Sequence, residues 1–296
     1  MANLKEIRNR ITSVGSTRQI TSAMKMVSAA KLRKAQDAIV QLRPYASKLK
    51  DIMAAVSESI QDDEDNVYSV VRDPEKVLIV VITSNRGLCG GFNANVIKKA
   101  VQVAAEDYGP QFAKDNVHFY MIGKKGDDFF RRKKLPVAAV KNDIYSHLDY
   151  EHVSELSKGI MKQFTDREYD RVILVYNQFR NAAVQDLVAE QFLPVKPPKK
   201  EEETDFRRTY YNYIFEPSRE YIVQELIPRS LRLQFYKALL DSHASEHGAR
   251  MTAMHKATDN ASELIKSLTL DYNKARQASI TNEILEIVSG ANALEG

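Results

Sequence analysis

Cysteine is nearly absent: Cys89 is the single one in 296 residues. That excludes an internal disulfide and any cysteine-rich metal site. Long apolar runs are missing too. The longest, Val77–Ile82, falls far short of the ~20 residues that span a bilayer, so no transmembrane segment is expected. The opening stretch MANLKEIRNRI has no apolar core of the signal-peptide kind, which predicts a protein that is not exported. Proline and glycine are scarce at both ends. Between Met1 and Ile60 only Pro44 and Gly15 occur, and between Ser218 and Ser289 only Pro228 and Gly248. These segments read as two long helices of roughly 90 Å and 105 Å at ~1.5 Å per residue. Globular helices average about 11–12 residues, so helices this long point to a mechanical element rather than a pocket.

Charge of one sign is concentrated. The net charge is +4, with Lys and Arg outnumbering Asp and Glu 43 to 39. Residues 1–58 alone carry +7, residues 219–296 carry −1, and the middle carries −2. A basic first helix suits an acidic partner, whether nucleic acid, anionic lipid or an acidic protein surface.

In that helix Leu4, Ile7, Ile11 and Val14 follow the 3-4 spacing of a coiled-coil seam. The same phase returns as Leu32, Ala35, Ile39, Leu42, Ala46, Leu49, Met53, Val56 and Ile60. Between them the seam positions are polar: Arg18, Thr21, Lys25 and Ser28. The apolar residues there shift to a rotated stripe, Ile20, Ala23, Met24, Val27 and Ala30. Either this stretch faces an additional partner or the coil adjusts its register locally. Pro44 is expected to kink the helix without ending it, because the seam continues in phase beyond it. The last helix is expected to start at Glu216-Pro217-Ser218 and to stop at Gly290. Its seam runs through Met251, Met254, Thr258, Ala261, Ile265, Leu268, Tyr272 and Ala275, then moves to Ile280, Ile284, Ile287 and Val288. Pairing the two terminal helices antiparallel buries both seams.

The middle alternates strand and helix, the pattern of a parallel α/β sheet. Strands are expected at Lys76–Thr83, Val117–Ile122 and Arg171–Asn177, with helices at about Asn93–Asp107 and Tyr150–Phe164 and a short basic helix within Gly123–Lys134. Ala183–Phe192 and Asn212–Phe215 read as two further strands, a hairpin at one edge. Val195–Thr204 reads as a surface loop, and Gln61–Asn66 as an acidic joint. The expected class is α/β: a long antiparallel coiled coil of the terminal helices plus a central, mostly parallel, Rossmann-like domain. The expected limits are 1–60 and 217–290 for the coiled coil and 75–216 for the central domain.

Candidates for chemistry are few. The loop Ser84–Asn93 links strand to helix as phosphate-binding loops do, but its glycines match neither G-x-G-x-x-G nor the P-loop. They are read as turn-formers. Cys89 as a nucleophile would need a basic partner, and His118, His147, His152, His243, His247 and His255 form no motif with it. His243 and His247 stand four apart on a helix but lack a third metal ligand, and are read as a solvated pair. Lys124, Lys125, Arg131, Arg132, Lys133 and Lys134, with Phe129 and Phe130 between them, are read as a solvated or docking face rather than a nucleic-acid surface. No catalytic, metal or cofactor site is expected.

Three long stretches then coincide with one family. LKEIRNRITSVGSTRQITSAMKMVSAAKLRKAQ, ITSNRGLCGGFN, and SEHGARMTAMHKATDNASELI with YNKARQASITNEILEIVSGANAL closely resemble the gamma subunit of F-type ATP synthases. The resemblance covers the chain end to end in the same order. It implies a non-catalytic rotor stalk that couples proton flow through the membrane ring of c subunits to ATP synthesis or hydrolysis at the beta subunits. The coiled coil would lie inside the ring of alpha and beta subunits, and the α/β domain at the foot against the epsilon subunit and the c ring. Membrane contact would be indirect, on the cytoplasmic side of a bacterial inner membrane, with no nucleic acid and no cofactor. Carried over residue by residue, the ring contacts would be Met24, Lys25 and Met26, then Arg276, Gln277, Thr281 and Glu283, and the apolar tip Ile284, Ile287 and Val288. The lone Cys89 leaves no room for a regulatory dithiol. The competing reading is an α/β nucleotide-dependent enzyme with a coiled-coil arm that grips RNA. Such arms are usually internal hairpins, whereas these helices are terminal.

Overall fold

Local periodicity becomes architecture in the computed structural model, which describes residues 4–57, 67–195 and 219–295. The elements are α1 (Leu4–Ser57), β1 (Val77–Ile82), α2 (Phe92–Glu106), α3 (Gly109–Phe112), β2 (Val117–Ile122), α4 (Lys124–Arg132), β3 (Val137–Lys141), α5 (Tyr150–Thr165), β4 (Arg171–Phe179), β5 (Gln185–Leu193) and α6 (Arg219–Glu295). By contact the chain divides into two units, Met1–Ala29 with Arg250–Gly296, and Ala30–Ala249. The division falls within α1 and α6.

In the larger unit the sheet order is β3-β2-β1-β4-β5. β1 pairs parallel with β2 and β4, β2 pairs parallel with β3, and β5 is antiparallel to β4. All six residues of β1 are buried, as a central parallel strand covered on both faces requires. Alternate side chains go to opposite cores. Leu78, Val80 and Ile82 pack with Val153, Ile160 and Phe164 of α5 and with Leu231, Phe235 and Leu239 of α6. Val77, Ile79 and Val81 pack with Val96, Ala100 and Val103 of α2 and Phe130 of α4. The reversal of strand order after β3 accounts for this split. Crossovers between parallel strands are right-handed, so reversing direction moves the connecting helix to the other face.

Several expectations need correcting. No strand was expected between Lys134 and Tyr150, yet β3 lies there. It is a short, half-exposed edge strand, and VAAVK has neither alternation nor β-branched density to mark it. The partner of β5 is β4, while Asn212–Phe215 lies outside the described residues, as do Gln61–Asn66, Glu216-Pro217-Ser218 and all but Val195 of Val195–Thr204. α6 does not stop at Gly290 but continues to Glu295. A helical glycine costs only about 1 kcal/mol against alanine, and Ala291, Ala293 and Leu294 favour continuation. As expected, Pro44 does not end α1, and α6 likewise runs on through Pro228.

In the smaller unit the two helices are antiparallel. Arg8 donates to the Tyr272 hydroxyl at 2.7 Å and stacks on its ring at 5.6 Å, and the Thr21 and Thr258 hydroxyls bond at 2.8 Å. Both pairs fit one register, with partner numbers adding to about 280. The expected seam of α6 is the inner one. Met254, Ala261 and Leu268 are buried and Met251, Thr258, Ile265, Tyr272 and Ala275 half-buried.

Candidate functional site

The crevice at the carboxyl ends of β1 and β4 is where strand order reverses and where doubly wound sheets hold ligands. Here the protein fills it. Ser245 of α6 donates to the Asn177 carbonyl at 3.1 Å, and a Cβ on Gly248 would meet the Ala182 backbone at 3.2 Å. The Tyr145 hydroxyl donates to the Thr83 carbonyl at 2.7 Å, and burial raises its pKa well above the ordinary phenol value. The loop after β1 is tied to itself. The Asn93 Oδ1 accepts from the Ser84 amide at 2.9 Å, its Nδ2 donates to the Ser84 hydroxyl at 2.8 Å and approaches the Cys89 sulfur at 3.2 Å. Gly90, at φ +58°, supplies a left-handed turn residue. Cys89 is only 2% exposed, a poor position for a nucleophile that must reach substrate.

One other reading changes. His243 and His247 are not a solvated pair: His247 is buried, their Nε2 atoms lie 3.1 Å apart, and His243 stacks on Tyr145. The helix-periodic pattern could not show that this face of α6 is covered. Among the described residues no third metal-ligating side chain joins them. Phe129 and Phe130 are core residues rather than stacking platforms. Phe130 is fully buried at 4.6 Å from Phe119, while Lys124, Lys125, Arg131, Arg132, Lys133 and Lys134 remain exposed.

The smaller unit carries two groups of exposed apolar side chains. At the polar stretch of α1 the seam keeps its phase, with Thr21 and Ser28 buried. Their hydroxyls donate to the helix's own carbonyls at Arg18 and Met24, so burial leaves no orphaned donor. Local register adjustment is therefore not what displaces the apolar stripe. Ile20 and Val27 are 59% and 57% exposed, and Met26 is 65% exposed. Met24 and Lys25 are half-buried. Leu264 and Leu270 of α6 are exposed as well. Sequence reasoning did not place Ile20, Val27, Leu264 or Leu270 among the contacts, although each stands out of phase with its seam.

At the other end, the register sets Leu4 opposite about residue 276. Beyond it no described residue of α1 faces α6. From Ile280 to Asn292 every residue is exposed, including Ile280, Ile284, Leu285, Ile287 and Val288. Arg276, Gln277, Thr281 and Glu283 are exposed beside them. Thr281 donates to the Gln277 carbonyl at 3.0 Å, and Ser279 donates to Glu283 at 3.4 Å. Met24–Met26 fall opposite about residues 254–256 by the same register. The two groups of expected contacts are thus separate patches, about 30 Å apart along α6.

The sequence profile of the family described as ATP synthase matches residues 3–294. The "ATP synthase gamma chain" of Flavobacterium johnsoniae is 55% identical over the full length of both chains, and that of Christiangramia forsetii 53%. The chain belongs to the ATP synthase gamma-chain family. Solved structures agree with the fold. The Euglena gracilis mitochondrial ATP synthase rotor aligns at a TM-score of 0.66 and 22% identity, over 94% of this chain and 98% of the other. A central stalk and c-ring structure from Tetrahymena thermophila aligns at 0.57 and 25% identity, over 80% of this chain and 99% of that one.

Proposed function

We propose that this chain is the central rotor shaft of an F-type ATP synthase, coupling proton flow through a c ring to ATP synthesis or hydrolysis on beta subunits, with no catalytic site of its own. The observation that carries the proposal is the uncovered end of α6. A bare helix with five large apolar side chains in water is unfavourable, since each gains about 1.5–3 kcal/mol on full burial. It therefore calls for a surrounding partner, here the collar of alpha and beta subunits around Ile284, Ile287 and Val288. The chemistry suits rotation. Apolar contact is non-directional, so it holds a shaft on its axis without fixing an angle.

The polar residues have the opposite property. Lys25, Arg276, Gln277, Thr281 and Glu283, with Met24 and Met26, form contacts that depend on orientation. A shaft built from two unlike helices presents a different face to each beta subunit. It can drive their states only through that difference in contact energy. The basic charge of residues 1–58 then meets acidic protein. The α/β unit forms the foot against the epsilon subunit and the c ring, and regulation of ATPase activity and proton flow enters there. No helix among the described residues is long and apolar enough to cross a membrane, which supports peripheral attachment through the c ring, on the cytoplasmic side of the inner membrane.

The test is a reversible lock. Ser279→Cys, paired with a cysteine on a beta subunit of the assembled complex, should abolish ATP-driven proton pumping when oxidised and restore it on reduction. Full activity in the oxidised, cross-linked complex overturns the rotor reading in favour of a static scaffold.

A further inference from the structure

The larger unit carries an open cleft of about 380 Å³ between the segment leading into β1, the last turns of α5 and the early turns of α6. Its volume lies within the range of small-molecule sites. Three cations converge on it: Lys158 and Lys162, one helical turn apart on α5, and Arg232 of α6. Lys158 is held by Glu155 at 2.6 Å. Arg232 donates Nε to the Pro228 carbonyl at 3.1 Å, which leaves its terminal nitrogens for another acceptor. Among the described residues neither Arg232 nor Lys162 takes part in an ion pair. Glu225 also lines the cleft and offsets part of the charge, which leaves a net positive lining among the described residues, with Lys162 and Arg232 outside any ion pair. Gathering like charges in one concavity is unfavourable unless an anion joins them. Met161 and Pro228 add an apolar wall.

We propose that this cleft binds a phosphate ester. A phosphate monoester carries about −1.5 to −2 at neutral pH, opposite in sign to the net positive lining that Lys162 and Arg232 give the cleft. The planar fork of Arg232 suits a bidentate hold on two phosphate oxygens. Lys162 supplies a second positive head, and the apolar wall receives the carbon part. The chemistry is shared by small phosphorylated metabolites and phospholipid headgroups. The site is built wholly from the larger unit and does not depend on the rotor reading.

The test is lysine-resolved acylation with mass spectrometry on the assembled complex, with the exposed Lys98 and Lys134 as internal references. Glycerol 3-phosphate at millimolar concentration should lower labelling of Lys162 at least five-fold relative to sodium chloride of equal ionic strength. Arg232→Gln should remove most of that protection. Because that change also cuts the bond to Pro228, Lys162→Gln is the second variant, with Lys158 as its readout. Vesicles of phosphatidylglycerol compared with phosphatidylcholine separate the sources. Protection by the soluble ester identifies a metabolite site, and protection by the anionic vesicles alone identifies a headgroup site. No protection by either, equal protection by chloride, or a Lys162 already unreactive without any addition overturns the proposal.

Discussion

Gly123→Ala is the sharpest test of how the sheet is held at the carboxyl ends of its strands. Gly123 follows β2 with φ +98° and ψ 140°, a region open essentially to glycine alone and costing other residues about 1–3 kcal/mol. The added Cβ would fall 2.1 Å from the Thr83 carbonyl oxygen and 2.6 Å from its carbon. That carbonyl cannot step aside. Thr83 is fixed by its own amide bond to Ile122 at 2.8 Å and by the Tyr145 hydroxyl at 2.7 Å. Overpacking against fixed atoms adds about 1–3 kcal/mol, so the total should reach roughly 3–5 kcal/mol. For a unit of this size that is a fall of roughly 10 °C in melting temperature, read by circular dichroism beside denaturant midpoints. Gly159→Ala is the control within the same unit. It lies inside α5 with nothing within 4 Å of the new Cβ, and should stabilise by up to about 1 kcal/mol. If Gly123→Ala lies within about 1 kcal/mol of the parent, or if both changes destabilise alike, the steric account is wrong.

Thr21→Val and Thr258→Val should each cost about 0.5–1.5 kcal/mol. The double variant should cost less than their sum, because either single change already loses the one bond that the two hydroxyls share; a double-mutant cycle in denaturant with zero coupling would deny the bond across the seam. At the start of α5 the Asp149 carboxylate accepts from the His152 amide and meets its ring at 2.8 Å. The His152 amide, and then its ring, hold the Asp149 pKa below the ordinary value, while the Asp149 carboxylate holds that of His152 above it. The histidine's contribution is full below about pH 6.5 and lost as pH rises through its elevated pKa. The aspartate's is present above about pH 4 and lost below its depressed one. An NMR titration should show His152 displaced upward, and Asp149→Asn should return it to the ordinary range.

The legible parts of this protein are those written in a local period. Met251 to Ala275 repeat at heptad spacing because one helix face meets one partner, and that face is the inner one. Val77–Ile82 reads as a buried strand because both faces of a central parallel strand are covered. β3 was not legible, since an edge strand of VAAVK is made by its pairing to β2 rather than by its own residues. The polar seam at Thr21 and Ser28 was visible as a break in the pattern. Whether it meant a shifted register could not be read, because that depends on Thr258, 237 positions away.

The candidate contacts divide in the same way. Their chemical types, apolar at Ile284, Ile287 and Val288 and polar at Arg276 and Glu283, were determined by sequence alone. That the first three lie bare follows only from the antiparallel register, which leaves the end of α6 without a described partner. The burial of His247 and Phe130, the cleft beneath Lys162 and Arg232, and the closing of the β1–β4 crevice by Ser245 belong to tertiary structure alone. Each brings together residues far apart in the chain, and exposure is decided by what comes to lie against a side chain. The sequence specifies which surfaces want cover; folding decides which of them get it.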